Sequence, residues 1–241
     1  MSDHWLYSAD LPDQPSTWTI EGPEAQHARA KHLAPAEPVH LFTGRGVVAG
    51  AEVIEAGRQQ LTVRIHSLKH LLPRQPRLAV AVGQPKGERL DWMLEKLTEL
   101  GVAAIWPLQC ERSVAHPKDN RIDRWQRRLI EAAKQAHVAW LPTIEPSHKL
   151  PELLAQAGRF TDILVADTAP AALPILSAAT TIGPQSQPIV LIGPEGGFTS
   201  AERDMMIRAR ARPVTLGPTV LRTETAAVVA AACLLCAADA R

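Results

Sequence analysis

Residues 191–198, Leu-Ile-Gly-Pro-Glu-Gly-Gly-Phe, and residues 216–226, Leu-Gly-Pro-Thr-Val-Leu-Arg-Thr-Glu-Thr-Ala, are the two stretches that decide the fold. Each follows a short apolar run and precedes a helix-like run. In α/β proteins, a strand followed by a tight loop and a helix places backbone N–H groups beside a ligand at the carboxyl edge of a sheet. Because this arrangement occurs twice, we predict that the two loops form one cofactor pocket.

The first loop has features of both a ligand site and a simple turn. Its three glycines allow a close backbone approach that residues with a Cβ resist. Thr199 lies three residues before Glu202, the spacing of a capping box, so a helix is predicted over residues 200–210. The loop lacks both the Lys-Ser/Thr of a phosphate-binding loop and the GxGxxG pattern of a dinucleotide site, which argues against a nucleoside triphosphate or NAD. A structural turn that starts a helix is the alternative.

The second loop leads into an apolar helix. Residues 226–238 are almost wholly Ala, Val, Leu and Cys, and these 13 residues are fewer than the ~20 that a membrane span needs. They are therefore predicted to form a buried helix. Arg222 and Glu224 are the charged residues between the loop and this helix. They could pair with each other, but their place beside a glycine loop favours contact with a ligand.

Composition limits the other classes of function. The chain has 241 residues and a net charge of +1, so its overall charge indicates no partner. Cys233 and Cys236 lie about one turn apart in the apolar helix, without a second Cys/His pair nearby, so core packing is predicted rather than a metal site. The N-terminus lacks a charged-then-apolar signal, so a cytoplasmic location without a membrane partner is expected.

The residues of both loops, with their order and spacing, resemble the signature loops of the SPOUT methyltransferases, and in particular those of the RsmE family. That family methylates N3 of a uridine in 16S ribosomal RNA. The resemblance covers nearly all of the chain and implies a trefoil-knotted parallel sheet, S-adenosylmethionine as cofactor, and a homodimer that acts on 16S rRNA or the small ribosomal subunit. It implies that the cofactor is bound by Leu191, Ile192, Gly193, Glu195, Gly196, Gly197, Leu216, Gly217, Leu221, Thr225 and Ala226.

Residues 1–72 read as a separate β module. Strands are predicted over 4–8, 39–42, 47–54 and 60–68, and a short helix over 26–33. Residues 72–76, Leu-Pro-Arg-Gln-Pro, are the best candidate for a linker. The pattern predicts a small β-barrel-like domain over 1–72, where the resembled family has a PUA-like RNA-binding domain, and a methyltransferase domain over 73–241.

Strands and helices alternate after the linker. Apolar residues recur with a helical period over residues 88–100, and that helix ends at Gly101. Strands are predicted over 78–82, 102–108, 163–166, 189–192 and 214–216. This alternation predicts an α/β fold with a mainly parallel sheet and helices on both faces.

Basic residues indicate where RNA would bind. Residues 74–149 carry a net charge of +4, from 13 basic and 9 acidic residues, which favours a polyanion only mildly over an ordinary solvated face. Position in the two predicted domains selects five candidate RNA contacts: Arg29, Lys31, Arg45, Lys86 and Arg112. For Arg112, a surface ion pair is an equal alternative.

Four positions depart from the pattern of the resembled family. Arginines are expected where His32 and Val138 stand, and acidic residues where Thr43 and Lys134 stand. None of these four positions lies in the two loops that are predicted to bind the cofactor. The departures therefore concern only RNA binding. The target site and the RNA affinity of this chain are therefore expected to differ from those of the resembled family.

The resemblance implies roles for the two charged residues of the second loop. Uracil N3–H is a weak acid, so a group must take its proton or stabilise the charge left on the O2/O4 edge. Arg222 is predicted to stabilise that charge, and Glu224 to accept the proton or to orient Arg222. Two alternatives are a methyltransferase of the same fold that acts on another RNA position, and a non-catalytic RNA-binding relative.

Overall fold

The computed structural model describes residues 4–113, 122–169 and 171–240. The chain divides into two compact units. The first unit comprises Met1–Pro73 and Ile130–Leu141, and the second comprises Arg74–Leu129 and Pro142–Arg241. A segment distant in sequence therefore belongs to the first unit.

The first unit contains a five-stranded sheet and one helix. Its elements are β1 (His4–Tyr7), β2 (Thr17–Glu21), α1 (Pro23–Ala30), β3 (Pro38–Phe42), β4 (Val47–Ala56) and β5 (Gln60–His70). The sheet order is β1-β3-β4-β5-β2, with β1 and β3 parallel and the other neighbours antiparallel. β2 was not predicted, although Thr17–Glu21 alternates between polar and apolar residues, because the run is only five residues long.

The core of the first unit lies between its sheet and α1. Alternate strand residues such as Leu41, Leu61 and Val63 are buried against Ala25 and Ala28 of the helix. The helix begins three residues before its predicted start, because proline occupies its first position, where a fixed φ favours a helix and no N–H is needed.

Residues 130–141 complete the first unit. Ala133 and Ala139 pack with Phe42 and Val48 in a second, smaller core. Nearby, the Nζ of Lys134 lies 3.0 Å from Oε1 of Glu24 and 3.0 Å from Oε1 of Glu131, and its side chain is only 6% exposed. Oε2 of Glu24 also accepts a hydrogen bond from the backbone N–H of Tyr7, at 3.2 Å. The lysine that replaces an expected acidic residue is thus paired with two carboxylates.

The second unit contains a parallel sheet. Its elements are β6 (Ala79–Gly83), α2 (Glu88–Glu99), β7 (Ala104–Gln109), α3 (Ile122–Ala136, which continues into the first unit at Ile130), β8 (Thr143–Ile144), β9 (His148–Lys149), α4 (Leu150–Leu154), β10 (Asp162–Ala166), β11 (Leu173–Pro174), α5 (Ile175–Ala179), β12 (Pro188–Ile192), α6 (Ser200–Arg208), β13 (Arg212–Thr215) and α7 (Thr223–Asp239). The strand order is β11-β13-β10-β12-β6-β7-β8, and β9 also pairs with β7. Every pairing in it is parallel, which confirms the predicted α/β class.

Helices cover both faces of the parallel sheet. Leu153 of α4 and Met206 of α6 pack against Trp106 and Leu191 on one face. Helix α7 packs against β6, β12, α2 and α5 on the other. The helix is less buried than its composition suggests, because Cys233 is half-buried and Cys236 is exposed. Within the described ranges, the structure contains no helix long and apolar enough to cross a membrane.

Candidate functional site

The first glycine-bearing loop is closely packed where it leaves β12. A Cβ on Gly193 would lie 3.1 Å from the ring of Phe198, which is buried. The predicted capping box then begins α6. The N–H of Glu202 donates to Oγ1 of Thr199 at 3.2 Å, and Oε2 of Glu202 accepts from the N–H of Thr199 at 2.8 Å. The loop conformation is therefore held at both ends.

The residues after β7 are hydrogen-bonded to the first loop and to the start of α6. Oε1 of Glu202 accepts a hydrogen bond from the N–H of Glu111 at 2.9 Å, and Nη1 of Arg112 donates to the carbonyl of Gly196 at 2.9 Å. Burial, reinforced by the charge of Glu202, raises the pKa of the Cys110 thiol to about 12. Cys110 is therefore a protonated packing residue at neutral pH rather than a nucleophile.

The second loop lies beside the first. It leaves β13 at Thr215, and Gly217 has a φ of +139°, a backbone conformation that favours glycine. Helix α7 then begins at Thr223, whose hydroxyl donates to the carbonyl of Gly193 at 3.1 Å. The two loops are therefore joined by a direct hydrogen bond.

Residues of both loops line one cavity of about 380 Å³, at the carboxyl ends of the adjacent strands β12, β10 and β13. This volume lies within the range of small-molecule sites, roughly 300–1,000 Å³. The predicted site residues that line it are Ile192, Gly193, Glu195, Gly197, Leu216, Gly217, Leu221, Arg222 and Ala226. Four other predicted residues do not: Leu191, Gly196, Glu224 and Thr225.

The residues present fit a nucleoside-bearing cofactor. The backbone groups of Leu216 and Leu221 have no hydrogen-bond partner among the described residues, so they are available to the polar edge of a base. A Cβ on Gly197 or Gly217 would meet no atom within 4 Å, consistent with these glycines facing open space in the cavity. The N–H of Gly197 is already bonded to the carbonyl of Pro194, at 2.8 Å, and is not free for a ligand.

Two charged residues of the cavity wall were not recognised in the sequence. Asp167 follows β10, and its carboxylate accepts from Nε of Arg203 at 2.9 Å and from the N–H of Ala169 at 3.0 Å. Both Asp167 and Arg203 line the cavity. The signal was available, because Asp167 directly follows a predicted strand and ligands collect at the carboxyl ends of parallel strands.

The two predicted catalytic residues point to different places. Arg222 is exposed and lines the cavity. Glu224 is 6% exposed and lies outside it, with Oε1 3.8 Å from Nε of Arg89. The structure therefore places a cation, but not the carboxylate, in the cavity wall.

The five predicted RNA contacts are all exposed, and they belong to both units. Arg29 and Lys31 lie at the end of α1 and form no ion pair with the described part of the chain. The guanidinium of Arg45 donates to the carbonyl of Ala9 at 2.6 Å and so has a structural contact as well. In the second unit, Lys86 follows β6 and Arg112 follows β7.

Gly83 offers a test of how the first loop is held. A Cβ on this residue would lie 2.6 Å from the nitrogen and 2.8 Å from the Cα of Pro194, so the backbone would have to move. We expect Gly83→Ala to weaken cofactor binding at least tenfold in calorimetry and to lower the free energy of unfolding by about 1–3 kcal/mol through overpacking. Gly158→Ala is the matched control, because its Cβ would meet no atom within 4 Å. Equal cofactor affinity in both variants would contradict the close packing.

Comparison with known proteins agrees with this geometry. The family model of the RNA methyltransferase domain matches residues 73–235. Ribosomal RNA small subunit methyltransferase E of Mycobacterium bovis is 32% identical over 236 residues, covering 93% of this chain and 88% of the relative. The enzyme of the same name from Bacillus subtilis is 27% identical, covering 90% and 89%.

Solved structures of methyltransferases are also similar to this chain. The Neisseria gonorrhoeae ribosomal RNA small subunit methyltransferase E, bound to S-adenosyl methionine, is 26% identical with a TM-score of 0.87, covering 96% of each chain. A putative methyltransferase of Legionella pneumophila in complex with the same cofactor is also 26% identical with a TM-score of 0.87, covering 98% of each chain. From the family model and the extent of these matches, the chain belongs to the ribosomal RNA small subunit methyltransferase E (RsmE) family of RNA methyltransferases.

Proposed function

We propose that this protein transfers a methyl group from S-adenosylmethionine to N3 of a uridine in 16S ribosomal RNA. The observation that carries the proposal is the cavity of about 380 Å³ that both glycine-bearing loops line. The family supports methyl transfer to ribosomal RNA, and the solved relatives with bound S-adenosylmethionine support the cofactor. The resemblance of the two loops supports N3 of uridine as the target.

The cofactor would be held by the two loops. The free backbone groups of Leu216 and Leu221 would bind its base, and Ile192 and Ala226 would supply apolar walls. We also propose that the chain forms a trefoil knot here. The strand order supports it, because β10 lies between β12 and β13 and the loop after β13 returns to the loop after β12.

The reaction needs a base, a charge stabiliser and an aligned methyl group. Bound S-adenosylmethionine supplies an activated methyl whose bond to sulfur breaks, leaving the electron pair on sulfur, as the bond to N3 forms. Arg222 would lie next to the reacting atoms and offset the negative charge that develops on the uracil carbonyl oxygens. Glu224 would take the N3 proton, directly or through water.

The first unit would bind RNA as a PUA-like barrel. Arg29 and Lys31 support this role, because they are exposed cations without ion-pair partners among the described residues. Phosphate contacts of this kind give affinity that falls as salt rises. In the second unit, Lys86 and Arg112 would contact RNA phosphates as well, since both are exposed and follow sheet strands.

We further propose a homodimer that acts in the cytoplasm, where ribosomal subunits assemble. Val220, in the second loop, is 85% exposed, and Trp92, on α2, is 42% exposed. If these two side chains belong to one contiguous apolar patch, that patch would mark an association surface. Light scattering is expected to give twice the monomer mass, and a monomer at working concentration would refute the dimer.

Primer extension on small-subunit particles tests the proposed target. N3 methylation blocks base pairing, so reverse transcriptase is expected to stop at one uridine of 16S rRNA only when protein and S-adenosylmethionine are both added. Calorimetry with the same preparation is expected to show cofactor binding. Cofactor binding without a stop would favour methylation of another position, such as a ribose oxygen, which does not block the polymerase. Absence of cofactor binding would favour a non-catalytic RNA-binding relative.

A further inference from the structure

Four buried side chains have a polar atom without a hydrogen-bond partner among the residues that the structure describes, namely Trp5, Gln84, Trp106 and Glu224, and only Gln84 and Glu224 directly follow residues that contact the cavity wall. Gln84 is 7% exposed, and its Nε2 is unpaired; Glu224 is 6% exposed, and its Oε2 is unpaired. Buried polar groups in folded proteins are nearly always paired, and an unpaired one lowers stability. A ligand that offers both an acceptor and a donor would satisfy the two groups.

Gln84 and Glu224 flank the same piece of cavity wall. Gly83, the residue before Gln84, is packed so closely against Pro194 that an added Cβ would lie 2.6 Å from the proline nitrogen. Thr223, the residue before Glu224, donates a hydrogen bond to the carbonyl of Gly193 at 3.1 Å. Each buried side chain is therefore one residue from a direct contact with wall residues 193–194.

The strand order shows on which side of the wall they lie. Gln84 follows β6, which pairs with β12 on the side away from β10 and β13. The other strands that contribute to the cavity are β10 and β13. A base bound between Gln84 and Glu224 would thus lie beside wall residues 193–194, at the border of the cofactor cavity.

The unpaired atoms match the pairing edge of uracil. Nε2 of Gln84 is a donor, Oε2 of Glu224 is an acceptor, and the half-exposed Arg89, 3.8 Å from the other Glu224 oxygen, is a second donor. The uracil edge presents a carbonyl, N3–H and a carbonyl, which is acceptor, donor, acceptor. Enzymes that modify a base read this edge with side-chain hydrogen bonds.

We propose that Gln84, Glu224 and Arg89 form the subsite for the target uracil, in which Glu224 accepts N3–H and Gln84 donates to one of the two flanking carbonyl oxygens. This inference rests on the proposed function and adds to it the residues that select the base. Lys86, two residues after Gln84, is exposed and would meet the RNA backbone at the same place.

Gln84→Met tests the subsite, because methionine keeps the size of the side chain and removes the donor. Cofactor affinity by calorimetry is expected to stay within about twofold, while kcat/KM on small-subunit particles falls about 10- to 100-fold through loss of one buried hydrogen bond. The melting temperature is expected to stay equal or to rise, since an unpaired buried amide has been removed. Gln185→Met, at an exposed position of the same unit, is the matched control.

Sulfur-substituted RNA separates recognition from a structural role. The particles are rebuilt with 4-thiouridine or 2-thiouridine at the target position, and sulfur accepts hydrogen bonds more weakly than oxygen. Because sulfur substitution also makes N3–H more acidic, the two proteins are compared on the same analogue, and Gln84→Met is expected to show no loss relative to the unsubstituted protein on the analogue whose oxygen Gln84 binds. The proposal would be overturned if Gln84→Met lost activity relative to the unsubstituted protein on both analogues. It would also be overturned if the variant were as active as the unsubstituted protein on uridine. Inactivity of the unsubstituted protein on uridine would instead refute the proposed function.

Discussion

Arg222→Ala is expected to lower the rate of methyl transfer to saturating small-subunit particles by about 10²–10³-fold, the effect of removing one preorganised group that stabilises transition-state charge. The expectation follows from its position, because Arg222 is the exposed cation of the second loop that lines the cavity, at the start of α7. Single-turnover kinetics measure the rate, and calorimetry is expected to show cofactor affinity within about threefold of the unsubstituted protein.

Two further variants make this result specific to Arg222. Arg222→Lys keeps the charge but not the planar fork, so part of the rate is expected to return. Arg208→Ala removes an exposed arginine of α6 that does not line the cavity, and its rate is expected to be unchanged. A rate for Arg222→Ala equal to that of Arg208→Ala would remove Arg222 from the mechanism.

Lys134→Met is expected to lower the free energy of unfolding by about 3–5 kcal/mol, the loss found when one partner of a buried ion pair is removed. The lysine side chain is 6% exposed, and it lies 3.0 Å from Glu24, whose side chain is only 13% exposed. Without the lysine, the Glu24 carboxylate stays in a poorly hydrated place without its cation. Urea denaturation measures the change.

The double variant Lys134→Met, Glu24→Gln provides the internal check. Because it removes both charges, it is expected to be more stable than the sum of the two single effects predicts, which is the sign of a direct interaction. Lys69→Met, at an exposed position of β5, is expected to change stability by less than about 0.5 kcal/mol. If Lys134→Met behaved like Lys69→Met, the buried pair would contribute nothing.

The parallel sheet was predictable because its strands are short apolar runs, as in Pro188–Ile192, where every residue is buried. Local chemistry also predicted the start of α6, since a capping box is encoded within four residues. In contrast, β2 alternates between polar and apolar residues over only five positions, with one of them buried, and this short pattern was overlooked; its pairing with β5 is seen only in the folded chain. The attachment of residues 130–141 to the first unit is likewise seen only in the folded chain.

The cavity was partly predictable, because its two loops carry local signals in the sequence. Glycines and their flanking strands indicated both loops, but the sequence does not show which side of a loop each neighbour faces. Glu224 was therefore grouped with Arg222, although the helical turn at the start of α7 directs the two residues to different surroundings. Gln84 gave no signal, because its burial arises in the folded chain, where the preceding residue Gly83 packs against Pro194, more than one hundred positions away.

The discontinuous first unit sets an order for folding during synthesis. Phe42 is fully buried, and its small core includes Ala133 and Ala139, which the ribosome adds long after residue 73. A nascent chain that ends at residue 73 therefore has all five strands of the sheet but lacks the residues of this core that Ala133 and Ala139 contribute beside Phe42. The N-terminal strands cannot reach their final stability until residue 141 has left the exit tunnel, when much of the second unit is still unmade.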